Sequence, residues 1–161
     1  MRARSWILAA SVVAVVLLIA LCFNAYRLGS KQLEPSWGYL IGSPAPQGSL
    51  VHILQLLSGP KKGIVRLESV EVGEYEGMEL LGIELYRGGA DDVPYIGEIP
   101  LDIAKRLRPI RGSRLLPNTD GALDYVVMTF RMLEDDVKGP FAQKIKYRWF
   151  GIPFEIAFQA R

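Results

Sequence analysis

The stretch KIKYRWFGIPFEIAFQ, Lys144 to Gln159, decides the fold. Ile145, Tyr147 and Trp149 alternate with Lys144, Lys146 and Arg148, and Phe154, Ile156 and Phe158 alternate with Glu155, Ala157 and Gln159. Alternation of period two places one set of side chains on a buried face and the other in water, as in a half-buried strand. Gly151 and Pro153 interrupt the two runs, so the stretch reads as an antiparallel hairpin. Pro153 has no N–H to close a two-residue turn. The expected loop is therefore the wider Phe150 to Pro153. In that register Trp149 faces Phe154, Tyr147 faces Ile156, Ile145 faces Phe158, and Arg148 lies opposite Glu155. Aromatic and opposite-charge pairs across strands contribute about 0.2 to 1 kcal/mol each, so the pattern selects its own register.

Working back along the chain, the same grammar recurs. Leu123 to Met132 alternates through Val126, Met128, Phe130 and Met132. Met78 to Tyr86 places Leu81, Ile83 and Leu85 on one parity. In Ile64 to Val72, Val65 and Leu67 fall on one parity but Val70 and Val72 on the other, which predicts a bulge or bend near Glu68-Ser69. Leu50 to Leu57 is apolar on both faces apart from His52 and Gln55, as a central strand would be. Loops separate these runs: Ser58 to Gly63, Gly88 to Pro100, Leu116 to Gly121 and Glu134 to Pro140. Leu101 to Leu107 fits a short helical turn with Pro100 at its first position. Short strands at this spacing predict an all-β, antiparallel sandwich.

This layout resembles the small membrane-anchored immunoglobulin-like proteins of bacterial envelopes. The resemblance rests on the strand–turn–strand Leu50 to Val72 and on the final hairpin Ile145-Lys146-Tyr147-Arg148-Trp149-Phe150-Gly151, and covers residues 48 to 159. The family often has Asn in the first turn, where this chain has Ser58. It implies an immunoglobulin-like fold behind one N-terminal helix, and no catalytic residues.

At the other end of the chain, Trp6 to Phe23 carries no charge and is bounded by Arg4 and Arg27. A helix of that length spans roughly 27 to 33 Å, matching a hydrocarbon core of about 30 Å. Trp6 and Tyr26 lie where amphipathic rings favour the headgroup layer. A signal peptide has a shorter apolar region and a small-residue cleavage site, for which Ala20-Leu21-Cys22 is the best candidate here. An uncleaved transmembrane anchor fits better. Arg2, Arg4 and the terminal amine against Arg27 and Lys31 favour a cytoplasmic N-terminus by a narrow margin. The expected organisation is a cytoplasmic stub and transmembrane helix over 1–27, a Gly/Ser/Pro-rich stalk over 28–48, and an extracytoplasmic β-sandwich over 49–161. In the stalk, Trp37 and Tyr39 are expected to cap the domain.

Charge and composition exclude several functions. The four basic residues flanking the apolar run leave 15 Lys plus Arg against 17 Asp plus Glu in residues 32–161, so the β domain carries no global field for nucleic acid. Cys22 is the only cysteine, which excludes an intrachain disulfide, and Leu21 before it is too large for a lipoprotein acylation site. Nucleophilic catalysis needs a base beside the nucleophile, and the only histidine, His52, sits in an apolar strand. Zinc needs three or four His, Cys or carboxylate ligands. Asp91-Asp92 and Glu134-Asp135-Asp136 lack the alternating oxygen ligands of a Ca²⁺ loop. No catalytic residue, cofactor or metal is expected.

The densest charge cluster is Lys105, Arg106, Arg108, Arg111 and Arg114. On a helix, Lys105, Arg108 and Arg111 would share a face suited to anionic headgroups or wall polymer; the alternative is a solvated loop neutralised by Glu71 to Glu84. The expectation is a single-pass, non-enzymatic interaction or scaffold module of the cell envelope, integral to the membrane, with an envelope protein partner. An anionic-ligand binder working through Lys105 to Arg114 is the second reading. A carboxylate-based hydrolase is the third.

Overall fold

The computed structural model describes residues 2–35, 40–41, 45–89, 96–97, 99–118 and 121–159. Trp37, Tyr39 and Asp91-Asp92 lie outside them. The chain divides into two compact units, Met1–Lys31 and Gln32–Arg161. The first is one helix, α1 (Arg2–Gly29), in which Ser11–Gly29 has mean hydropathy 2.1. It is long and apolar enough to cross a membrane.

The second unit is mostly β. In chain order its elements are β1 (Glu34–Pro35), β2 (Leu40–Ile41), β3 (Leu50–Ser58), β4 (Val65–Gly73), β5 (Met78–Gly88), β6 (Ile96–Gly97), α2 (Leu101–Ala104), β7 (Arg108–Pro109), β8 (Arg114–Leu115), β9 (Leu123–Met132), β10 (Lys138–Gly139), β11 (Ala142–Trp149) and β12 (Ile152–Gln159). Every pairing is antiparallel. One sheet has the order β1-β3-β9-β5-β7, with β6 also on β3; the other runs β12-β11-β4-β8, and β10 pairs with β2. The main core takes Val51, Ile53, Leu57, Leu85, Val126, Met128 and Phe130 from the first sheet and Val65, Leu67, Ile145, Tyr147, Trp149 and Phe154 from the second.

The both-sided apolar character of β3 has a physical cause. Its inward residues face the main core, while Leu54 and Leu56 face outward into a second cluster with Tyr86, Tyr125 and Val127. Ile99, Ile103 and Leu107, from the segment between β5 and β9, cover that cluster. The helix in this segment is shorter than its sequence suggests: it ends at Ala104, and Pro100 is its N-cap.

The bulge expected near Glu68-Ser69 is present. Lys146 pairs with Ser69 and Tyr147 with Leu67, leaving Glu68 as the extra residue, so both pairs of valines and leucines reach the core face. A second bulge escapes the sequence reading. Leu80 pairs with Phe130 and Gly82 with Thr129, so Leu81 is the unpaired residue and stands 43% exposed. The face is shared instead by Met78, Leu80, Ile83 and Leu85.

The terminal hairpin is tighter than expected. Trp149 pairs with Ile152, Tyr147 with Phe154, Ile145 with Ile156 and Gln143 with Phe158, a slip of two residues that preserves every inward face. The loop is Phe150-Gly151, with φ of 50° and 79°, both positive as a type I′ turn requires. Pro153 is tolerated because it sits opposite Arg148 in a non-hydrogen-bonded pair. Its missing N–H would point away from β11, off the edge of the sheet.

Truncation distinguishes the bulge from a regular strand. In urea denaturation, Leu85→Ala should cost about 2 to 5 kcal/mol, because the side chain is fully buried. Leu81→Ala should stay within about 0.5 kcal/mol of the parent; a cost comparable to that of Leu85→Ala would contradict the bulge.

Candidate functional site: an arginine row on the outer sheet face

Short connections split the basic segment between the two sheets. Lys105 closes α2, and Arg106 lies 5.1 Å over the Tyr86 ring and 3.7 Å from Asp102. Arg108, in β7, pairs with Leu85 on the edge of the first sheet. The chain then turns through Ile110–Ser113 and joins the second sheet as β8. Leu67 fixes that turn at both backbone groups: its N–H donates to Ser113 O at 2.9 Å, and its carbonyl accepts from Gly112 N at 2.9 Å. The helical face expected to unite Lys105, Arg108 and Arg111 is therefore absent, since Arg108 is already in a strand.

Arg111 and Arg114 instead meet two arginines from distant parts of the chain. Arg66 pairs with Arg114 on one side and with Arg148 on the other. All three point away from the core, since Val65, Leu115 and Trp149 beside them point in. Directly opposed side chains have Cβ atoms about 4.5 to 5.5 Å apart, so the row Arg114–Arg66–Arg148 sets three guanidinium groups side by side across three strands. Arg111 lies with Arg66 and Arg148 in an open hollow of about 760 Å³ lined also by Leu67, Glu68, Ser69 and Gly112.

Two local irregularities leave this row short of counter-charge. The two-residue slip of the hairpin moves Glu155 from Arg148 to Lys146 and puts Pro153 opposite Arg148. The β4 bulge supplies the only carboxylate that reaches the row among the described residues: Glu68, which accepts from Arg148 Nε. Arg148 Nη1 also donates to Gly151 O at 3.3 Å. Glu84 lines the adjoining groove with Arg111, Pro109 and Ile110.

Of the acidic residues expected to neutralise the basic segment, Glu84 lies beside Arg111, and three others pair elsewhere. Glu71 pairs with Lys146 at 2.6 Å, Glu76 with Lys138 at 3.6 Å and Glu79 with Arg131 at 3.0 Å. The hydrogen bond from Lys146 holds Glu71 below its ordinary carboxylate value, and the same bond raises Lys146. Further along β4 and β11 the same outer face carries the pairs Lys146–Glu71 and Lys144–Glu155, while the hairpin end carries a row of like charges.

The remaining candidates lie outside the row. His52 Nδ1 lies 3.0 Å from Thr129 Oγ1 on the neighbouring strand. Glu134, Asp135 and Asp136 are exposed, and among the described residues no group of His, Cys, Asp or Glu is arranged to hold a metal. Buried Asp124 accepts from Arg87 at 3.0 Å across a strand pair. Comparison with protein-family models, curated proteins and solved structures found no match.

Like charges directly opposite one another destabilise a sheet. Arg66→Gln should therefore raise stability by about 0.2 to 1 kcal/mol at low salt. Urea denaturation should show the gain vanishing near 1 M salt, where the screening length falls to about 3 Å. A loss of stability at low salt would mean that the row is internally compensated.

Proposed function

We propose that this chain is a single-pass membrane protein whose β unit is an immunoglobulin-like sandwich held outside the cytoplasm. In this reading it is a non-enzymatic module that binds an anionic component of the cell envelope. Two features support the sandwich. The two sheets share one core, and the order β1-β3-β9-β5 opposite β12-β11-β4 corresponds, strand for strand, to the A-B-E-D and G-F-C order of constant-type immunoglobulin domains. The segment from Gly89 to Ala122 is then an insertion between strands D and E that carries the basic residues across to the C strand. The apolar stretch Ser11–Gly29 supports the anchor, and Arg2 and Arg4 ahead of it are compatible with a cytoplasmic N-terminus.

The observation that carries the binding reading is the cross-strand row Arg114–Arg66–Arg148 with Arg111 beside it and Glu68 as its counter-ion. Guanidinium groups present planar donor pairs that match phosphate and carboxylate oxygens. Opposed like charges cost a sheet stability, a cost that a neutralising ligand would offset. This favours an anionic ligand over a purely protein–protein scaffold.

The test is a titration of the full chain in nonionic detergent with soluble short-chain polyphosphate. Binding should weaken steeply with salt, and Arg66→Gln/Arg148→Gln should reduce it by tenfold or more, about 1.4 kcal/mol. Lys105→Gln/Arg106→Gln should leave it within about twofold. Equal losses from the two pairs would reject the row in favour of diffuse basicity.

A further inference from the structure

The end of the β unit that carries the arginine row is also where the chain enters it, and it is apolar. Gln32, the first residue of the unit, accepts through Oε1 from Lys62 N at 3.1 Å. Lys62 O in turn accepts from Trp149 Nε1 at 2.8 Å, next to the hairpin turn. Gly63 leaves room for this arrangement: a Cβ there would come within 3.1 Å of Trp149 Nε1 and 3.3 Å of the Phe150 ring. Entry point, β3–β4 loop and hairpin turn therefore share one end. Only Ser30 and Lys31 separate Gln32 from Gly29, the last residue of α1, a covalent reach of about 10 Å.

Four of the large apolar residues exposed in the β unit cluster here. Phe150 is 75% exposed, Ile64 49%, Leu116 46% and Ile152 40%. Leu116 belongs to the cluster because its carbonyl lies 3.1 Å from where a Gly59 Cβ would stand, on the same β3–β4 loop. Phe150 is also backbone-strained. At φ 50° a bulky residue occupies the left-handed region, which Asn or Gly would adopt more readily. That strain displays an aromatic ring edge-on to Trp149, at 4.7 Å between centroids.

We infer that this end of the β unit rests on the surface of the bilayer that α1 crosses, with Phe150, Ile152, Ile64 and Leu116 in the headgroup layer and Arg66, Arg114 and Arg148 on lipid phosphates. Aromatic and aliphatic side chains flanked by cations form an interfacial surface, favoured by apolar burial and by attraction to anionic lipid. Charge complementarity and the two-residue tether both select the membrane as the occupant. The inference rests on the anion-binding reading above and names the ligand class: phospholipid headgroups.

The experiment uses the full chain in nanodiscs of phosphatidylcholine with or without phosphatidylglycerol. In a Cys22→Ser background, single reporters are placed by Ile152→Cys, by Leu116→Cys, and by Leu133→Cys at the opposite end of the sheets. Each is labelled with a polarity-sensitive dye and quenched with aqueous iodide. Protection at 152 and 116, but not at 133, in the anionic discs is the expected result. Arg66→Gln/Arg148→Gln should then shift the seated-to-lifted ratio by roughly 30-fold, from about 1 kcal/mol per basic residue. Equal quenching at all three positions in anionic discs overturns the inference; if polyphosphate still binds, the anion site stands with a soluble polymer as its ligand. Equal protection in neutral and anionic discs overturns the assignment to anionic headgroups.

Discussion

Everything in the β unit depends on β11 being paired on both edges, to β12 by a two-residue turn and to β4 across a bulge. Those pairings fix which side chains are inside. Ile145, Tyr147 and Trp149 go to the core, where Tyr147 stacks on Phe154 with centroids 5.6 Å apart. Lys144, Lys146 and Arg148 go to water. The same pairings set the partners of each outward residue. Had the hairpin closed two residues later, Glu155 would oppose Arg148 and the row would gain a second counter-ion. The chemistry of the outer face is therefore a property of register.

The strands, their inward faces and the β4 bulge were legible because each follows from period-two alternation and its interruption. The bulge at Leu81 was not, because Leu80 and Leu81 are both apolar and nothing marks where parity changes. The hairpin register is not legible from Pro153 alone, because the effect of a proline depends on which way its missing N–H points. Had it faced β11, the wider loop would have followed; it faces outward, so the tight turn was open and the positive φ values at Phe150 and Gly151 accommodate it.

The site was half legible. Arg111 and Arg114 belong to the densest basic cluster in the sequence, and they do reach the row. Lys105, Arg106 and Arg108 do not join it, because the chain leaves the helix at Ala104 and crosses from one sheet to the other. Arg66 and Arg148 each occur singly, in alternation with apolar neighbours, and read as ordinary solvent-facing positions. Their juxtaposition depends on pairing between strands far apart in sequence, which local pattern does not encode.

The crossing segment also bears on how such chains behave when crowded. β7 lies along β5, β8 along β4, and β1 and β6 along β3, so short strands occupy part of each of these otherwise open borders. Among the described residues no strand pairs with the outer edge of β12, whose outward-bonding positions include Pro153, which has no donor, and Glu155, a half-exposed carboxylate side chain. A second copy laid against it would lose a ladder bond and desolvate a carboxylate, the means by which natural sheets discourage edge-to-edge growth. Crowded copies can thus lie side by side without fusing into a continuous ribbon.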